Sequence, residues 1–216
     1  MNKIFFKWFK YATALSVVIF VLYVNELDNQ VKKEFSKPQN PNFMSFEQQP
    51  KVVINMLLMT EDQSFFEHSG VDFKEIARVL RDYYFYDKPL RGASTITQQL
   101  IKNTLLTRER TLDRKLKEIV MALLLEAAFD KEFILNYYMN SVYLGQKGNL
   151  SVKGFDQAAH FYFNKSVEHL SLEDVATLVA LVKGPSYYHP IKYPQRLAKR
   201  RQLVLSLYNK YEKIVK

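Results

Sequence analysis

Apolar side chains return every three to four positions along most of this 216-residue chain, and no run alternates convincingly at a spacing of two. Val53, Ile54, Leu57 and Leu58 predict a helix within 50–60. Asp72, with Glu75 three residues on, reads as a capping box opening a helix through Ile76, Val79, Leu80 and Tyr83. Further helices are predicted over about 94–106, 111–129, 131–143, 171–182 and 194–211, with Gly184-Pro185 stopping the fourth of these five. In the helix opened by Thr111, Leu112, Leu116, Ile119 and Leu123 form the predicted buried stripe, while Arg114, Lys115 and Glu118 share the opposite face. The expected fold class is mostly α.

One stretch is apolar without a period. Tyr11 to Val24 carries no charge, and with Ile4 to Lys10 in front it reaches about the 20 residues that cross a bilayer. Residues 1–10 read as a basic cytoplasmic end, 11–24 as the anchor core of a span over 4–24, 25–44 as a polar stalk with Pro38 and Pro41, and 45–216 as the folded domain. The sequence VLYVNELDNQ lacks a small-x-small cleavage pattern, so the segment is expected to stay as an anchor. Lys3, Lys7 and Lys10 precede it, which directs the amino terminus to the cytoplasm and the domain across the membrane.

Composition narrows the chemistry. A net charge of +9 calls for an anionic partner, and the anchor removes the domain from nucleic acid, leaving lipid headgroups or a phosphorylated substrate. With no cysteine, the chain has no disulfide, thiol nucleophile or cysteine-bound metal. Its four histidines lack metal-ligand spacing. The positive charge is concentrated in two stretches: 91–118 holds seven cations against three anions, and the last 25 residues hold eight against one. Tyr83-Tyr-Phe-Tyr86 beside Lys88 and Arg91 suits a membrane interface, a flap or core packing; the basic carboxyl-terminal helix suits lipid headgroups or plain solvation.

Two groups of residues suggest a site. Glu61 and Asp62 at a helix end, with Phe65 and His68 following, suit acid–base work, because an apolar wall strengthens a carboxylate as a base. Ser94 or Thr95 before Ile96 and Leu100 reads as a helix N-cap, and free N–H groups at a helix start attract phosphate-like anions.

Together the segments resemble the peptidoglycan glycosyltransferases (family 51), found as monofunctional enzymes and as the first domain of class A penicillin-binding proteins. The carrying blocks are E-D-x-x-F-x-x-H-x-G (Glu61 to Gly70), G-x-S-T-I-T-Q-Q-L-x-K-N (Gly92 to Asn103), R-K-x-x-E (Arg114 to Glu118), Ile134 to Asn140 with Gly145, Gly154 and A-A-x-x-Y-F (Ala158 to Phe163), and K-G-P-S-Y-Y-x-P (Lys183 to Pro190). The resemblance implies a lysozyme-like helical domain that polymerises lipid II into β-1,4-linked glycan outside the cytoplasmic membrane. It makes Glu61 the base and Glu118 the second acidic residue, with a divalent cation such as magnesium or manganese as a candidate ligand of Glu118. It marks Asp62, Phe65, His68, Gly92, Ser94, Thr95, Gln98, Gln99, Lys102, Asn103, Arg110, Arg114, Lys115 and Asn140 for substrate binding and support. The implied partners are lipid II, the growing lipid-linked glycan, the membrane, and a transpeptidase or other cell-wall synthesis protein. The chain departs from the family pattern at Asn136 and Met139, where Glu and Leu are usual, and at Asn164, where Gly is common. It contains neither S-x-x-K nor K-T-G, so a penicillin-binding transpeptidase is not expected within it. A lysozyme-like hydrolase or lytic transglycosylase is the second reading, though it leaves the cations unused; a non-catalytic lipid II-binding protein is the third.

Overall fold

The computed structural model describes residues 3–107, 109–211 and 213–215, with side chains from Phe6 onward. Arg108, counted above among the cations, lies outside the described residues. Among these residues the chain forms α1 (Lys3–Phe35), α2 (Lys51–Glu61), α3 (Phe73–Tyr86), α4 (Ile96–Leu105), α5 (Leu112–Ala128), α6 (Lys131–Ser141), the hairpin β1 (Tyr143–Lys147) and β2 (Leu150–Lys153), then α7 (Phe155–Phe163), α8 (Leu172–Val182) and α9 (Pro194–Lys210). The mostly α class expected from periodicity is what forms.

Two helices make the centre because their apolar residues go all the way round. Val53 to Met59 of α2 are all buried, and so are Val175, Ala176 and Leu178 to Leu181 of α8. The third member of this core is α9, packed on both through Leu197 and Val204. Asn55, the polar residue in the buried run of α2, uses its amide on the chain end: Oδ1 accepts from the N–H groups of Ile214 and Val215, and Nδ2 donates to the Val215 carbonyl. The predicted helix starts at Asp72, Thr95 and Thr111 hold, each accepting a backbone N–H at the start of α3, α4 and α5, and Ser171 does the same for α8.

Four expectations need correction. The polar stretch after the span is not a free stalk throughout, because α1 continues to Phe35 and buries Leu27, Val31 and Phe35 in the core against α5 and α6. Their i, i+4, i+8 spacing makes an apolar stripe that the surrounding charges hide, and the Phe35 ring meets Tyr137 edge-on at 4.9 Å. The predicted buried stripe of α5 is also reversed. Leu112 and Leu116 are 86% and 63% exposed, Leu123 is exposed and Ile119 is only half-buried, whereas Glu118, Met121, Ala122 and Leu125 face inward. The helix carries two stripes, and the one bearing Glu118 faces α4. The third correction is the antiparallel pair β1–β2, too short to show a period, with Gly145 opposite Val152 and an irregularity between Tyr143 and Gly145. Helix α7, the fourth, was not expected as a separate element; it ends at Asn164 in the left-handed conformation (φ 54°), which Asn adopts more readily than most residues and Gly more readily still.

The surface resolves one open choice. Tyr83, Tyr84, Phe85, Tyr86 and Leu90 are all exposed, so this aromatic run is not core. One helix near the amino terminus, Phe6–Phe35, is long and apolar enough to cross a membrane.

Candidate active site

The loop after α2 and the start of α4 are locked together by Asp62. This buried carboxylate accepts the Ile96 N–H at 2.9 Å and faces His68 Nε2 at 3.1 and 3.2 Å. The Gly70 N–H donates to His68 Nδ1 at 3.2 Å, which leaves the imidazole proton on Nε2 to be donated to Asp62. The Thr95 hydroxyl donates to the Gly70 carbonyl at 2.6 Å, and Gly70 itself adopts φ 92° where any Cβ would strike the Ala122 carbonyl. The start of α4, expected as an open anion site, is therefore already filled by the chain's own carboxylate. Gln98 closes the cap through its Oε1 and is buried; Phe65 is fully buried and packs against Phe66 and His68, with the Lys131 ammonium 4.4 Å from its ring centroid. Thr95, Gln98, Asp62, His68 and Phe65 form the frame of the site.

Glu61, the last residue of α2, is buried and held from two sides. Gln99 Nε2 donates to one oxygen at 3.2 Å and Arg200 Nη2 donates to the other at 2.9 Å. The far side of the Gln99 amide accepts from the Tyr138 hydroxyl at 2.8 Å. Burial pushes that phenol well above its ordinary range, and the nearby Glu61 and Asp62 carboxylates add to the effect, so Tyr138 is a fixed donor. Helix α9 thus brings a cation to Glu61.

Glu118 is gripped locally. Arg114 Nη1 donates to Oε2 at 2.6 Å, Lys115 Nζ pairs with Oε1, and the Lys115 ammonium also donates to the Ser94 hydroxyl at 3.0 Å. Lys102 joins this cluster from α4. Partial burial pushes its ammonium below the ordinary lysine value of 10.5; Glu118 raises it, while Arg114, Lys115 and Lys183 lower it further. Lys183 also approaches Gly92, so the fifth block reaches the same place. A cleft of about 1380 Å³ opens beside the cluster, and its lining includes Lys102, Asn103, Arg110, Arg114 and Asn140 but neither Glu61 nor Glu118. Asn140 uses its amide structurally, accepting the Met44 N–H at 2.9 Å and donating to the Met44 carbonyl at 3.0 Å.

A divalent cation at Glu118 would need several hard oxygen ligands. Both carboxylate oxygens there already face cations, and among the described residues no group of three or more His, Cys, Asp or Glu side chains could hold a metal ion. The residues present do not fit such an ion.

Three contributors escaped the sequence reading. Lys183 was quoted within a block without a role. Tyr138 lay within the Ile134 to Asn140 block, also without a role. Arg200 was counted as part of a basic face, although it is three residues after Leu197 and four before Val204, on their buried stripe.

The family model described as Transglycosylase matches residues 28–209. The chain is similar to Penicillin-binding protein 1B of Haemophilus influenzae, with 44% identity over 158 residues covering 73% of this chain and 20% of that protein. It is equally similar to Penicillin-binding protein 1B of Escherichia coli, at 44% over 158 residues, 73% of this chain and 19% of that protein. Penicillin-binding protein 1A of Aquifex aeolicus is 44% identical over 163 residues, 76% of this chain and 22% of that protein. The chain spans about a fifth of the length of these curated relatives. Since the family model covers most of the chain, and the five blocks that suggested the family all lie inside the match, this chain belongs to the Transglycosylase family, glycosyltransferase family 51, whose domain is helical and lysozyme-like.

Proposed function

We propose that this chain polymerises lipid II into β-1,4-linked glycan strands of peptidoglycan, releasing undecaprenyl pyrophosphate. The single observation that carries this reading is one turn of α4: Gln99 holds Glu61, and three residues on Lys102 belongs to the Glu118 cation cluster. A base and an anion clamp thereby share one rigid face. Glu61 takes the proton of the acceptor 4-hydroxyl as that oxygen bonds to C1 of the growing chain. The bond from C1 to the pyrophosphate oxygen breaks, and its electron pair leaves with the pyrophosphate. Lys102, Arg110, Arg114, Lys115 and Lys183 meet that charge, and such preorganised cations need no reorganisation at the moment of transfer. The clamp is the protein's own cations rather than a bound divalent ion, because Glu118 is spent on Arg114 and Lys115. A hydrolase has no use for this arrangement.

In this reading α1 crosses the bacterial cytoplasmic membrane once, amino terminus inside, and the domain works on the outer face. Helix α1 packs against α5, which places the exposed Leu112 and Leu116 beside the end of the span, at the level where the lipid pyrophosphate would stand. Cross-linking of the product calls for a transpeptidase, whose S-x-x-K and K-T-G motifs these 216 residues do not contain. The test is to incubate the purified full chain with lipid II in detergent and to resolve the products by size. Long glycan supports polymerisation; fragmentation of added glycan means hydrolysis, and unchanged lipid II means binding alone.

A further inference from the structure

We propose that Arg200 is a positioning residue for Glu61, holding the carboxylate ionised and aimed while it waits for the acceptor hydroxyl; this rests on the reading of Glu61 as the base. Arg200 reaches Glu61 from 139 residues away in sequence, on a helix that contributes no other hydrogen bond or ion pair to this carboxylate among the described residues. Its guanidinium is largely buried, its Nε has no hydrogen-bond partner, and Glu61 is its only carboxylate within ion-pair distance among the described residues. A buried cation with a single counter-ion ties the two charges to each other. Arg200 lies between Leu197 and Val204, both buried in the core, so α9 cannot turn it away without unpacking.

The consequence for Glu61 follows from two opposed effects. Burial favours the neutral acid, and the guanidinium favours the carboxylate. The other titratable groups around it do not replace Arg200. Tyr138 on α6 reaches Glu61 through Gln99 and stays protonated; Asp62, next in the chain, is a like charge; His68 gives its proton to Asp62. Lys102, on the same face of α4 as Gln99, belongs to the Glu118 cluster. Without Arg200, the Gln99 amide is left as the remaining hydrogen-bond donor to Glu61 among the described residues.

The test compares the full chain with Arg200→Met and Arg200→Lys, measuring kcat/KM on lipid II across pH. An opposite charge this close to a carboxylate typically moves its protonation by about one to three pH units, so Arg200→Met should carry the acid limb upward by that amount, and Arg200→Lys should restore most of it. Arg200→Gln serves the same comparison if Arg200→Met does not fold. On a Glu61→Gln background, Arg200→Met should remove no further turnover. A rate loss equal at every pH, with the acid limb unmoved, would reduce Arg200 to a packing residue and overturn the proposal. A second measurement keeps the two readings apart: carbon-13 titration of the Glu61 carboxyl, identified by its absence in Glu61→Gln, reports the hold of Arg200 even if lipid II is not polymerised. An unchanged Glu61 titration in Arg200→Met overturns the proposal whatever the activity.

Discussion

Glu61 and Glu118 are both buried carboxylates with cationic partners, yet the chain supplies those partners in opposite ways. Glu118 is held by Arg114 and Lys115 at i−4 and i−3 of its own helix, and one turn of α5 suffices to bring them together. Glu61 is held by Gln99, 38 residues away, and by Arg200, 139 away. The first arrangement survives wherever α5 is a helix, whereas the second exists only when α2, α4, α6 and α9 are packed. The difference separates a charge store from a base. Glu118 faces a cation at each of its two oxygens. One cation and one amide hold Glu61 by single contacts, and a carboxylate with about four lone-pair sites keeps room for an incoming hydroxyl.

The comparison breaks most directly at Glu61. Glu61→Gln keeps the shape and removes the basicity, so turnover should fall by about 100 to 10,000-fold while lipid II or a moenomycin-type phosphoglycolipid still binds; initial rates beside an affinity measurement check both halves. Near-normal turnover here, with Glu118→Gln inactive, would exchange the two roles. Next in size is the clamp. Lys102→Ala and Lys115→Ala should each cost on the order of 100 to 1,000-fold in turnover at saturating lipid II. Retention of half the rate would show that these charges do not meet the leaving group.

Glu118→Gln is a milder change, because it loosens the aim of Arg114 and Lys115 without removing either. We expect about a tenfold loss, equivalent to roughly 1.4 kcal/mol in the barrier. Chelation with EDTA should leave both this variant and the parent unchanged; restoration of turnover by added magnesium or manganese would return the divalent cation to Glu118.

The pH profile gives a finer contrast on the opposite limb. Burial and neighbouring cations push Lys102 below 10.5, so its charge is present at lower pH and is lost, as pH rises, earlier than for an ordinary lysine. The alkaline limb of turnover should therefore fall below 10.5, and Lys102→Arg should move it upward. An identical alkaline limb in both proteins would remove Lys102 from the clamp.

Truncation sharpens the local side of the comparison. A chain beginning at Ser45 loses Val31 and Phe35, both essentially fully buried against the α5 side of the core, whereas one beginning at Asn25 keeps them. Losing even one large buried side chain typically costs about 2–5 kcal/mol, so the shorter chain should melt at markedly lower temperature. Equal melting temperatures would restore the free stalk that the polar residues 25–44 suggested.

What the sequence determined by itself is what one or two helical turns can encode. The caps at Asp72, Thr95, Thr111 and Ser171, the apolar span, and the grouping of Arg114, Lys115 and Glu118 all depend on spacings of three or four residues, which are the same in any α-helix. The short blocks were legible too, and they were enough to suggest the family. Tertiary structure alone decided which of the two stripes of α5 would be buried, since both satisfy the period and only packing against α4 selects one. It set Asp62 beside Thr95 as a second acceptor at the start of α4, extended α1 into the core, and brought Lys183 to the cation cluster. It also placed Arg200 on Glu61. Contacts across 139 residues carry no local periodicity, because the loops between the helices set their distance and packing sets their rotation.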